Sequence, residues 1–264
     1  MDPHVSWFQF LPGYHALLNF LQANFANSVI VNGGLFPKNP RFETVQHLFA
    51  AILVFLVLAV MSFAARRHLS NLNSVIVPSK RLTVVTFFEI LYQSLAGIMK
   101  DIIGHDYKRH VPFVGTLMLF ILFSNLIGLV PGFVPPTDNL NTTLACGLLV
   151  FVYFNWQGLR VHGIGHIIHL ANPVGEWWGW FLAPLLFPIE VIGLCVRPFS
   201  LAIRLAGNMI GDHKVVIAFA GIMPLLLPLP FFFLGLLVAL IQTAVFCLLT
   251  CVYISLHTQE VEAH

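Results

Sequence analysis

Residues 190–214 read EVIGLCVRPFSLAIRLAGNMIGDHK. The stretch lies inside a long apolar run and still carries Glu190, Arg197, Arg204, Asn208, Asp212 and His213. An ionised side chain at the centre of a bilayer costs about 2.5–3.5 kcal/mol on insertion scales, so a chain that keeps one there has a partner or a task for it. On an ideal helix turning about 100° per residue, Glu190, Arg197, Ser200, Asn208 and Gly211 all fall within about 40° of Arg204. The pattern is one polar stripe along an apolar helix. Arg197 can snorkel to a membrane surface. Arg204 has apolar sequence on both sides and is expected to be a buried functional arginine.

Outward from the stripe, residues 177–222 are apolar for nearly fifty positions. Pro198 sits between Arg197 and Phe199 without a Gly or Asn neighbour, which makes a poor turn and a tolerable kink. One long helix over 177–222 is therefore expected, followed by a proline-rich turn and a last helix over 231–256 bearing Gln242. Upstream, LFAAILVFLVLAVMSFAA gives a span over 47–65, long enough for the roughly 20 residues that a bilayer core requires. Residues 112–134 and 140–156 give two more spans, joined by an external turn in which Asn139 or Asn141 can cap the second helix. The lone mid-span amide of Asn125 is expected to bond a neighbouring helix. Between the first two of these spans, residues 79–103 are amphipathic: Val84, Phe87, Phe88, Leu91, Leu95, Ile98 and Ile102 recur at helical spacing, as in a helix lying in the membrane interface. Residues 1–46 read as an external segment with a short surface helix.

Composition permits only this class. The chain is 58% hydrophobic and 9% charged, where soluble domains carry about 25% charged residues. The fold class is thus an all-α integral membrane protein. It has about five membrane helices and an interfacial amphipathic helix, the last two membrane helices forming a long tilted hairpin, all in a single domain. Seven of the 13 Lys and Arg (Arg66, Arg67, Lys80, Arg81, Lys100, Lys108 and Arg109) lie between the first two spans. By the positive-inside rule that connector is cytoplasmic, which puts the N-terminus outside and the C-terminus in the cytoplasm. No cleavable signal peptide is expected from an N-terminus with Asp2 and no basic region. The four cysteines sit in apolar segments without metal-ligand spacing. His162, His166 and His169 share a helical spacing, but Gly163 and Gly165 weaken the helix, and no metal site is expected there. There is no P-loop, nucleophile elbow or HExxH motif, so neither a cofactor nor catalysis of the soluble kind is expected, and nothing suggests nucleic acid.

RPFSLAIRLAGNM (197–209), GDH (211–213) and LIQTAVFCLLTCVYISL (240–256) resemble subunit a of the F-type ATP synthase, over about residues 45–260. The resemblance implies a membrane stator; a bacterial inner membrane is expected, with an organelle inner membrane as the alternative. Its partners would be a ring of c subunits, the peripheral-stalk subunit b, the rest of the complex and membrane lipid. Arg204 would be the fixed charge between two proton half-channels, with Glu190 and Ser200 on the exit side and Asn208, His213 and Gln242 on the entry side; Asp212, beside His213, would tune or replace it. Some members carry a carboxylate at the position of His213 and a histidine where this chain has Gly235. His213 lies nine residues from Arg204, about 180° around an ideal helix, and must line a cavity off the stripe unless the helix is distorted. Two other readings compete. A secondary transporter would also place charges at mid-membrane, but the first half of the chain has no counterpart of the stripe. A scaffold subunit would tolerate loss of Arg204.

Overall fold

The computed structural model describes residues 46–69, 83–130, 132–163, 179–222 and 228–258. Residues 1–45 of the expected external segment, His166, His169 and the polar tail lie outside the described residues. Among the described residues six α-helices follow one another: α1 (Gln46–Leu69), α2 (Val84–Ile103), α3 (Tyr107–Ile127), α4 (Leu140–His162), α5 (Gly179–Ile222) and α6 (Pro228–Thr258), with a 3-10 turn at Pro136–Asp138. No strand occurs among the described residues. The molecule is an all-α, multi-pass membrane protein. Among the described residues four helices, α1, α3, α4 and α6, are long and apolar enough to cross a bilayer.

The 44 residues of α5 run through Pro184, Pro188 and Pro198 without a break. At about 1.5 Å per residue the helix is about 66 Å long, twice the roughly 30 Å of a hydrocarbon core. Each interior proline removes one ladder hydrogen bond, and packing holds the axis together. Gly147 of α4 lies so close that a Cβ there would stand 2.7 Å from the Pro198 carbonyl oxygen and 3.5 Å from the Ala202 methyl. The backbones of α4 and α5 meet at this point because residue 147 has no side chain. Gly147→Ala is therefore expected to force the two helices apart and to destabilise the fold by about 1–3 kcal/mol. A fall in the thermal midpoint of the detergent-solubilised complex measures it, and an unchanged midpoint would contradict the contact.

Helix α6 fills the centre: it packs against α2, α3, α4 and α5. Ile121, Phe154, Leu201, Leu205, Phe246 and Ile254 form the core between them, each at most 1% exposed. Elsewhere the surface is apolar: Phe55, Val60 and Phe63 on α1, Leu148 and Val152 on α4, and Phe233 and Leu237 on α6 are exposed. Such a surface suits lipid, where backbone groups must be satisfied within helices. Helix α2 buries Leu95 and Met99 and leaves Val84, Phe87, Ile90 and Tyr92 exposed. It ends at Gly104, whose positive φ of 84° turns the chain sharply into α3. Ser255 Oγ near the end of α6 donates to the Ile102 carbonyl at 2.9 Å, tying α6 to that corner.

Several boundaries differ from the sequence reading: α4 runs on to His162, past the expected end at 156, and both ends of α3 move. Helix α3 begins at Tyr107, ahead of Pro112, because Tyr107, Lys108, Arg109 and His110 continue the helix beyond its apolar part. It ends at Ile127, because Gly128 and the turn after it fold back against Pro135. Asn139 caps α4, its side chain accepting from the Asn141 N–H at 2.9 Å. Asn125 does not bond a neighbouring helix: its Oδ1 accepts from Thr137 Oγ1 of the 3-10 turn at 2.8 Å. The turn tucks a hydroxyl under the end of α3, so the amide finds its partner in the connector. Arg197 is half-buried, its guanidinium 5.7 Å from the Tyr253 ring centroid, a cation–π distance. The four cysteines are free.

Candidate functional site

The middle of α5 presents two faces with different chemistry. The first looks away from the bundle. Ile192, Val196, Phe199, Ile203, Arg204, Gly207, Asn208 and Gly211 are exposed along it, recurring every three or four residues as one helix face must. Arg204 is thus exposed on its own chain, and the described residues leave it uncovered. Among the described residues no carboxylate pairs with it. Ser200, one turn before, is exposed; Glu190 is half-buried and, fourteen residues away, stands about 21 Å along the helix from Arg204. One and two turns after Arg204, Gly207 and Gly211 have no neighbouring atom within 4 Å of where a Cβ would be. The arginine therefore stands beside a shallow trough in an otherwise apolar surface.

Helix α6 supports this face from behind. Gln242 is 3% exposed, and its Oε1 accepts from Asn208 Nδ2 at 2.8 Å. The bond joins α5 to α6 one turn from Arg204. Gln242 Nε2 is buried and has no hydrogen-bond partner, leaving a donor at the junction.

The second face turns inward. Asp212 and His213 line a cavity of about 30 Å³ together with Asn125 of α3, Leu129 of the turn that follows it, and Phe232 and Gly235 of α6. His213 thus borders a partly open space, lined by three helices and the turn after α3, on the other side of α5 from the stripe, and α5 remains helical through Gly207 and Gly211. Gly235 stands across this cavity, and a Cβ there would come within 2.9 Å of Leu129 Cδ2. Asp212 Oδ2 and Asn125 Nδ2 are both buried without a hydrogen-bond partner. The site therefore brings together Asn208 with Gln242, and Asp212 with His213; it keeps Glu190 apart. Sequence reasoning did not place Asn125 at the site, although a lone amide in an apolar span was the signal. Among the described residues no group of three or more His, Cys, Asp or Glu side chains is placed to hold a metal ion.

A second polar cluster lies on α3 and α4, where His110 Nδ1 and Tyr153 Oη are 2.9 Å apart and Phe113 stacks on the Tyr153 ring at 3.7 Å. These groups satisfy one another, as buried polar groups in a packed interior do.

Residues 47–255 match the model of the ATP synthase A chain family. ATP synthase subunit a of Sorangium cellulosum is 41% identical over 224 residues, covering 84% of this chain and 86% of the relative. A subunit a of Syntrophotalea carbinolica is 44% identical over 209 residues, 79% of this chain and 84% of the relative. That of Bdellovibrio bacteriovorus is 39% identical over 193 residues, 73% of this chain and 82% of the relative.

Proposed function

The chain belongs to the ATP synthase A chain family, and from that premise we propose that it is the proton-conducting stator of the membrane sector, with Arg204 as the charge that couples proton flow to rotation of a c-ring. The observation that carries the reading is the exposure of Arg204 on an apolar face. A guanidinium left against lipid is costly, so the face is covered in the working complex by a partner that offers a carboxylate. The trough at Gly207 and Gly211 lets that partner come close.

Arginine stays protonated in proteins, so Arg204 relays no proton itself. It holds a fixed positive charge, and a carboxylic acid brought beside such a charge is driven to ionise. A protonated rotor carboxyl arriving at Arg204 releases its proton on one side and takes up another after passing. The same charge repels protons and keeps the two aqueous paths from joining. Asn208, Asp212, His213 and Gln242 serve the entry path. His213 suits proton transfer because imidazole titrates near neutrality. Glu190 and Ser200 serve the exit path. The basic residues of the connector from Arg66 to Arg109 put that connector in the cytoplasm, with the N-terminus external, the C-terminus cytoplasmic and the entry path opening outward. The subunit carries no catalytic site of its own, transports protons as the coupling ion, and sits in a bacterial inner membrane with subunit b of the peripheral stalk.

The test uses the whole complex. Gly207→Cys places a thiol in the open trough, and a second cysteine is placed beside the ring carboxyl. Oxidation is expected to yield an a–c disulfide in most complexes. An assembled complex that forms no such link, while a cysteine at exposed Phe63 of α1 links instead, would show that the ring meets another face.

A further inference from the structure

Two buried polar atoms without partners, a donor and an acceptor, belong to residues that line the same cavity. The donor is Asn125 Nδ2 on α3 and the acceptor is Asp212 Oδ2 on α5. They make no direct hydrogen bond. The cavity, at about 30 Å³, has room for one or two waters, each of which needs roughly 10–15 Å³. A buried polar group left unsatisfied is costly, and one water bonded to both atoms removes both penalties at once.

The amide is held in one orientation. Asn125 is 2% exposed and Thr137 is fully buried. The Thr137 hydroxyl donates to Asn125 Oδ1 at 2.8 Å, from a 3-10 turn closed by the Asp138 N–H on the Pro135 carbonyl at 3.1 Å. Thr137 is not among the residues that line the cavity. With the carbonyl engaged there, the NH2 group is the part left for the cavity. The reverse orientation would set a carbonyl oxygen toward the Asp212 carboxylate. Among the described residues, Asp212 and His213 are the only titratable groups lining the cavity.

We propose that Asn125 is a positioning residue of the entry path: clamped by Thr137, its amide donates through one cavity water to Asp212 Oδ2 and fixes where protons are handed to Asp212 and His213. The inference rests on the reading of Asp212 as an entry-path residue.

The experiment measures ATP-driven proton pumping in proteoliposomes carrying the whole complex, with assembly followed in parallel. Asn125→Leu keeps the volume and removes the donor; pumping is expected to fall about 5- to 10-fold, the effect of one water-mediated hydrogen bond. Thr137→Val, which frees the amide, is expected to reproduce part of the loss, and Thr137→Ser to restore pumping. In an Asp212→Asn background, Asn125→Leu is expected to add no further loss. A density map of the wild-type complex is expected to show a water within hydrogen-bond distance of both atoms. The inference is overturned, with the entry-path reading intact, if Asp212→Asn impairs pumping while Asn125→Leu and Thr137→Val do not, or if the losses from Asn125→Leu and Asp212→Asn simply multiply. Normal pumping by Asp212→Asn overturns both. Should Asn125→Leu fail to assemble, the Thr137 pair and the density decide the matter.

Discussion

Arg204→Gln and Arg204→Ala are each expected to reduce ATP-driven proton pumping to background in vesicles where the complex remains assembled. The side chain is exposed on its own subunit, so neither change opens a cavity in the core, and the subunit should fold. On the proposed reading, what is lost is one fixed charge facing a rotor carboxyl. A hydrogen bond to a charged group is worth about 1.5–3 kcal/mol, roughly 10- to 150-fold in an equilibrium, and this one would be made in a site shielded from water, where it weighs more. Glutamine keeps the polarity and length but not the charge, so it separates electrostatics from shape. Near-normal pumping by Arg204→Gln, with the complex assembled, would remove the fixed-charge role and favour a scaffold in which the polar stripe only specifies packing.

The second large effect is expected at a glycine. Gly235 borders the cavity that holds Asp212 and His213, and a Cβ there would meet only the mobile tip of Leu129, 2.9 Å away. Gly235→Ala needs a small shift of that tip and should pump close to normal. Gly235→Leu puts a four-carbon side chain into a space of about 30 Å³, expels water, and cuts the polar groups off from one another. Pumping is expected to fall by an order of magnitude or more. Overpacking costs about 1–3 kcal/mol, so the amount of assembled subunit must be measured alongside. If Gly235→Leu assembles and pumps like the wild type, the cavity does not lie on the proton path.

The class of fold was legible because bilayer length, charge scarcity and the stripe all point the same way. The continuity of α5 through Pro198 was legible too, since the proline had none of the residues that make a turn. Asn208 and Gln242 stood out as polar residues in apolar runs, but no spacing rule joins residues 34 apart; only tertiary packing puts them at 2.8 Å. Whether its own chain would cover Arg204 was not legible, for a physical reason. A residue deep in an apolar run is far from water, but the sequence does not say whether its own chain or another covers it. The partner of Asn125 was missed because it lies in a connector, and amide geometry is set by the tertiary path of a turn. The cavity draws on three helices, and the sequence offered only its α5 edge, as the half-turn offset of His213.

The meeting of Gly147 with the carbonyl of Pro198 has a mechanical side. A subunit that a turning ring pushes against must return the load without yielding. Side chains between two helices act as springs, since they can change rotamer; a carbonyl seated against a bare Cα has almost no travel. That seat lies six residues before Arg204, at a close joint between α4 and α5. On the stator reading it sets the stiffness of the mounting, and a softer joint there would lose torque as heat even with every proton-path residue in place.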